Sequence, residues 1–198
     1  MSRRHLLTGS AIVLGALAAW WIIFAGVPRL NRGRSQPPAE TSQAPAAPTV
    51  AAQRKITATL FYITEDGMAL QGVQSEVPFG ERVDEQARHI ITAQIAGTPG
   101  PLAPAIPAGT TLRALYVSER GEAFVDFSKE ITAQHTGGAL DELFTVYAIV
   151  NALTVNLPGI SRVQILIDGK EADTLAGHVD LRHPLSQNLK WIKTDNPS

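Results

Sequence analysis

Apolar residues recur with different periods along this chain, and each period predicts a different element. Lys55 to Ile63 is rich in β-branched and aromatic residues and runs into the turn signal Glu65-Asp66-Gly67, which predicts a strand. A second strand is expected from Met68 to Val77, closed by Pro78 and Gly80, so the two form a hairpin. Arg82 to Ala96 then sets Val83, Ala87, Ile90, Ile91 and Gln94 near helical spacing, with Gly97 as the stop. After a Pro-rich loop, Thr111 to Val117 and Glu122 to Phe127 alternate across the turn Arg120-Gly121 and predict a second hairpin. Gly137-Gly138 opens the strongest helix, in which Leu140, Leu143, Phe144, Tyr147, Val150 and Thr154 recur at steps of three and four. Arg162 to Ile167 is a final apolar strand that turns at Asp168-Gly169. The order ββαββαβ predicts an α+β domain: a mostly antiparallel sheet with two helices on one face.

The first fifty residues follow another pattern. The uncharged run from Leu6 to Val27 would reach about 33 Å as a helix, enough to cross a bilayer core. Pro28-Arg29-Leu30 follows it without a small-x-small cleavage site, which favours an uncleaved anchor over a removed signal peptide. Arg3-Arg4 ahead of the run also fits a twin-arginine export signal, although a positive-inside anchor explains the same residues. Ser35 to Pro48 is rich in Pro, Ala, Ser, Gln and Thr, a composition that cannot bury a core and suits an extended tether. The expected organisation is therefore a basic tail at 1–5, a membrane anchor at 6–27, a linker at 28–54, the folded domain at 55–192 and a tail at 193–198. Such an anchor and tether place the domain on the extracytoplasmic side.

Composition narrows the chemistry. The absence of cysteine excludes a disulfide framework, a thiolate metal site, a Cys nucleophile and a lipidated Cys. A formal net charge of −1 offers no field that would gather nucleic acid.

Asp126, Ser128 and His135 are the best set for nucleophilic catalysis, yet no Gly-x-Ser-x-Gly elbow surrounds Ser128 and the three are too close in sequence for an assembled triad. His178, Asp180 and His183 carry zinc-compatible groups, but an extended Gly177 to Leu181 would make His178 and Asp180 a solvated pair on one face. His89 reads as a partly exposed helix residue. The acid pairs Glu65-Asp66, Asp84-Glu85 and Asp141-Glu142 sit at turns or helix starts, where carboxylates are locally favourable. No catalytic residue, cofactor or metal is therefore assigned. Asp126, Ser128 and Asn151 remain as ligand or partner-contact candidates, each with a simpler reading as a polar group bonding nearby backbone.

From Thr59 to Pro184 the chain resembles the GerMN domain family, named from a spore-germination lipoprotein. The marks are Leu60-Phe61-Tyr62, Ile106-Pro107-Ala108-Gly109-Thr110, Val125-Asp126-Phe127-Ser128, Gly138 at the long helix, Ile149 to Thr154, and Val163 to Gly169. The resemblance implies an assembly module of the bacterial envelope, related to ring-building motifs of sporulation complexes, with no catalytic set. This chain has one such domain and a hydrophobic anchor in place of a lipobox Cys. The expected function is a noncatalytic scaffold that binds another envelope protein or itself, with strands near Met68 to Val77 and Glu122 to Phe127 as the contact edges. Peptidoglycan binding is the alternative, and a role accessory to cell-wall hydrolysis comes after it.

Overall fold

A computed structural model describes residues 54–97 and 100–193. The expected basic tail, the anchor at 6–27, all of the linker but Arg54, and residues 194–198 lie outside the described residues. Among the described residues no helix is long and apolar enough to cross a membrane.

The elements are β1 (Lys55–Ile63), β2 (Leu70–Pro78), α1 (Val83–Ala96), β3 (Leu112–Val117), β4 (Glu122–Phe127), a short α2 (Glu130–Ala133), α3 (Ala139–Asn156), β5 (Arg162–Ile167), β6 (Lys170–Glu171) and β7 (Leu185–Ser186). The fold is α+β with the expected ββαββαβ framework, to which α2, β6 and β7 are additions. Elements that short have no room for a period, so the apolar pattern gives no sign of them.

β1 and β2 pair antiparallel without a bulge, from Lys55 opposite Pro78 to Ile63 opposite Leu70. β3, β4, β5 and β6 form a second sheet in that spatial order, with β7 also against β5. Only β4 and β5 run parallel, because α3 carries the chain back to the same end of the sheet. β4 is therefore interior to its sheet, with β3 on one side and β5 on the other, and the expectation that Glu122 to Phe127 offers an edge is corrected. Alternation along a strand reports which face is buried and is silent on which neighbours it has.

The hairpin is a separate sheet because its inner edge is occupied by something other than a strand. Ile63 exchanges both backbone hydrogen bonds with Ala103, at 2.9 Å each. Two residues back, the Phe61 N–H donates to Gln94 Oε1 (2.9 Å) and the Gln94 amide donates to the Phe61 carbonyl (2.6 Å). Two further back, Thr59 N–H donates to Asn156 Oδ1 (2.8 Å), and Asn156 Nδ2 donates to the Thr59 carbonyl (2.7 Å). Each side-chain amide carries a donor and an acceptor in one plane, so it can take the place of a peptide in the neighbouring strand.

Gln94 belongs to the buried stripe of α1, with Gln86, Ala87, Ile90 and Ile91. Asn156 is the last residue of α3, a helix buried on most of its surface through Phe144, Val146, Ile149 and Leu153. The two helices contact each other; α1 also touches β1, β2 and β3, and α3 touches β1 and β5.

Replacing the buried Gln94 by Leu keeps its volume but strands the Phe61 N–H and carbonyl without partners. Gln94→Leu is expected to lower unfolding free energy by about 2–4 kcal/mol, whereas the exposed Gln74→Ala changes it by less than about 0.5 kcal/mol. Urea unfolding followed by circular dichroism measures both.

Candidate functional site

Asp126 lies near the end of β4 and is almost fully buried. One carboxylate oxygen accepts the Gly169 N–H at 2.7 Å; the other faces Arg113 Nη1 at 3.2 Å, and Arg113 also reaches Asp168 at 3.3 Å. Asp168 and Gly169 both have positive φ and make the two-residue turn between β5 and β6, a backbone shape that glycine adopts without strain. Asp126 thus fixes a turn. Ser128 closes the bulged start of β3: its hydroxyl oxygen accepts the Thr111 N–H (3.1 Å), and its own N–H donates to the Thr111 carbonyl (3.0 Å). The hydroxyl also donates to Glu130, which helps hold that carboxyl below its ordinary pKa. Asn151 is wholly buried in α3 and makes a two-point pair with Asn188, Nδ2 to the carbonyl at 2.8 Å and Oδ1 from the N–H at 3.0 Å.

The residues of the nucleophile set go to different partners. His135 Nδ1 accepts the Gly137 N–H (3.0 Å), so Nε2 carries the proton and donates to Thr145 Oγ1 (3.2 Å), whose hydroxyl donates to the Ala105 carbonyl (2.6 Å). The imidazole is spent on joining loops. His89 Nδ1 donates to the Pro78 carbonyl (3.0 Å) and is half-buried. Gly177 to Leu181 forms no strand, so the expected solvated pair of His178 and Asp180 is replaced by separate contacts: His178 on Glu142, Asp180 on Arg182. Among the described residues no three His, Asp or Glu side chains converge as a metal site.

Glu142 departs most from the sequence reading. It is no solvated helix-start acid but a wholly buried carboxylate. The N–H groups of Leu175 (2.8 Å) and His178 (2.7 Å) donate to its two oxygens, and His178 Nδ1 lies 3.0 Å from one of them. Burial alone would raise its pKa; N–H donors from Ala176, His178, Leu175 and Val179 outweigh that and hold it below the ordinary value. The available signal was its position, one and two turns before Val146 and Ile149 on an apolar stripe.

Two features face solvent instead. Tyr116 is 61% exposed and stands 5.9 Å, centroid to centroid, from Phe124 on the next strand. An open groove of about 520 Å³ runs from Tyr116 to Arg82 and Asp84 at the start of α1, and a second, of about 440 Å³, lies between Tyr116, Arg120 and Phe124. The other feature is the outer edge of β2. Leu70 at its start bonds Trp191 and Lys193, but between Leu70 and Pro78 that edge has no backbone partner among the described residues.

A sequence profile for the family described as Germane, sporulation and spore germination, matches residues 59–173. The chain belongs to the Germane family. Among solved structures, the first GerMN domain of the sporulation protein GerM from Bacillus subtilis is similar at 22% identity and a TM-score of 0.50, over 67% of this chain and 96% of that one. That likeness is one of fold. The tandem GerMN domains of the same protein match at 22% identity and 0.48, over 69% of this chain and 46% of that one. A Clostridium perfringens protein designated a lipoprotein matches at 26% identity and 0.48, over 70% and 93%. No curated protein matches the chain.

Asp126, Ser128, Glu142 and Asn151 all fall inside the Germane match, while Leu175, His178 and Asn188 follow it. Glu142 and Asn151 therefore fasten the C-terminal segment to the Germane domain, joined by Gln164, whose amide donates to the Leu181 carbonyl at 2.6 Å. Because the Glu142 pKa is depressed from 4.5, its contribution to stability is fully present above about pH 4.5 and is lost as the pH falls through the folded-state value. Glu142→Gln puts an NH2 group against backbone donors and is expected to cost about 2–3 kcal/mol at neutral pH. The variant also loses part of the acid-side fall in stability, read as urea midpoints across the acid range.

Proposed function

We propose that this Germane domain is a noncatalytic interaction module of the cell envelope, held at the membrane by residues 6–27 and displayed on the extracytoplasmic side by the linker at 28–54. One observation carries the reading. The side chains suited to chemistry, among them Asp126, Ser128, His135 and Glu142, are committed to internal hydrogen bonds, while what faces solvent is an open strand edge and an aromatic patch. A reaction centre needs groups free to meet a substrate; a binding module needs surface. The uncharged run Leu6–Val27 and the Pro/Ala-rich segment after it support the placement. Lipoprotein and sporulation designations among its structural relatives agree with an envelope setting.

Tyr116 and Phe124 favour peptidoglycan as the second reading, since an exposed aromatic face beside Arg82, Asp84 and Arg120 suits the apolar face and hydroxyls of a sugar.

The full-length chain is expected in the membrane fraction, and a form lacking 6–27 in the soluble fraction. Crosslinked pull-down from envelope is expected to capture a protein, unchanged by Tyr116→Ala. Sedimentation with purified peptidoglycan that is lost in Tyr116→Ala would instead establish the wall-binding reading, and release of soluble wall fragments would overturn the noncatalytic one.

A further inference from the structure

Backbone direction along the hairpin follows from its ends. Ile63 and Leu70 face each other and turn their N–H and carbonyl groups away from one another, Ile63 toward Ala103 and Leu70 toward Trp191 and Lys193. Strand geometry repeats every second residue, so Gly72, Gln74 and Glu76 also point theirs outward. Nothing among the described residues accepts or donates to them, and all three residues are exposed.

Other edges are covered at least in part. Gln94 and Asn156 close β1 from Thr59 to Phe61, the Arg88 guanidinium donates to the Leu115 carbonyl on β3, and β6 and β7 share the far side of β5. Exposed edges in monomeric proteins are ordinarily blunted by lysine, proline, a bulge or an inward charge. Gly72-Val73-Gln74-Ser75-Glu76 has no lysine or proline and pairs with β1 without a bulge.

We propose that this edge pairs antiparallel with the same edge of a second copy, about a two-fold axis at Gln74. Gly72 then faces Glu76 of the second copy and Gln74 faces its own counterpart, each pair exchanging both backbone hydrogen bonds. The register is self-complementary. Glu76 meets a glycine, so no like charges oppose each other, and its side chain is already paired with Lys55 at 3.0 Å. The ends are set by the fold as well: the Leu70–Ile192 bridge occupies one end, and Pro78, which has no N–H, lies at the other. Two hairpins so joined make a continuous four-stranded sheet.

The proposal rests on the interaction-module reading and names its partner, yet the two fail separately. The chain has no cysteine, so Gln74→Cys in the full-length protein in lipid vesicles gives a single reactive site. A short bis-maleimide is expected to yield a product of doubled mass, well above that from the exposed control Lys170→Cys. Adding Glu76→Pro removes an N–H that faces away from β1, which leaves the hairpin ladder whole and is expected to lower that product about tenfold or more. Gln74→Lys, which sets like charges across the axis, is expected to reduce energy transfer between copies labelled at Lys170→Cys in the same vesicles without shifting the circular dichroism spectrum. Crosslinking no better than the control, or unchanged by Glu76→Pro in a folded chain, overturns the self-pairing. So does a crosslinked product containing another protein, an outcome that keeps the interaction-module reading.

Discussion

The buried inner edge of β1 is the constraint on which the rest of this structure turns. A strand packed against helices brings its N–H and carbonyl groups out of water, and each one left unpaired there costs on the order of 1–3 kcal/mol. A further strand would be the ordinary answer. Here Gln94 from the middle of α1 and Asn156 from the end of α3 supply the missing peptides. Both helices are thereby fixed in register along β1, because each amide must stand opposite one particular residue. A helix shifted by one turn would carry its amide about 5.4 Å off target. The hairpin also ends as a sheet of two strands, cut off from β3–β6, since the amides stop the ladder where they complete it.

The same device recurs at the C-terminal end. Asn151 pairs with Asn188 as Asn156 does with Thr59, one turn and a half further along the same helix. Glu142 does the equivalent work for the segment Leu175 to Val179, using a charge where the others use dipoles. Burying a carboxylate is costly unless its oxygens are fully bonded, and here backbone donors converge on it from one loop. α3 is consequently a central post. It covers the core with Phe144, Ile149 and Leu153, and it holds β1 and the segment beyond β5 through Asn156, Asn151 and Glu142.

Much of this was legible in the sequence, and the division between what was and what was not is physical. β1, β4 and β5 match their expected limits, and the helices lie within a residue or two of theirs, because burial of a face imposes a period that survives in the residues. The structural alternatives for Asp126, Ser128 and Asn151, bonds to nearby backbone, correspond to contacts in the fold. Glu142 was misread because an acid in a first helical turn is favourable in solvent too, and that local reading took precedence over its place on the stripe of Val146 and Ile149. The interior place of β4 was missed for a related reason. Neighbours in a sheet are set by crossovers, and α3 could have returned the chain to either side.

The hairpin that results is asymmetric in a way that bears on function. Its inner edge is closed by two side-chain amides, Gln94 buried and Asn156 half-buried, that could have been apolar had another strand been available, whereas the outer edge from Gly72 to Glu76 carries no lysine, proline or bulge to discourage pairing. An edge of five residues offers only a weak association by itself. Confinement changes the arithmetic. In the proposed reading, copies held at one membrane surface by residues 6–27 would meet at an effective concentration far above that in solution, so a contact too weak to persist between free domains can be occupied between anchored ones. The anchor and the undefended edge therefore belong together in the proposed reading: the first raises the local concentration, and the second has affinity modest enough to remain reversible.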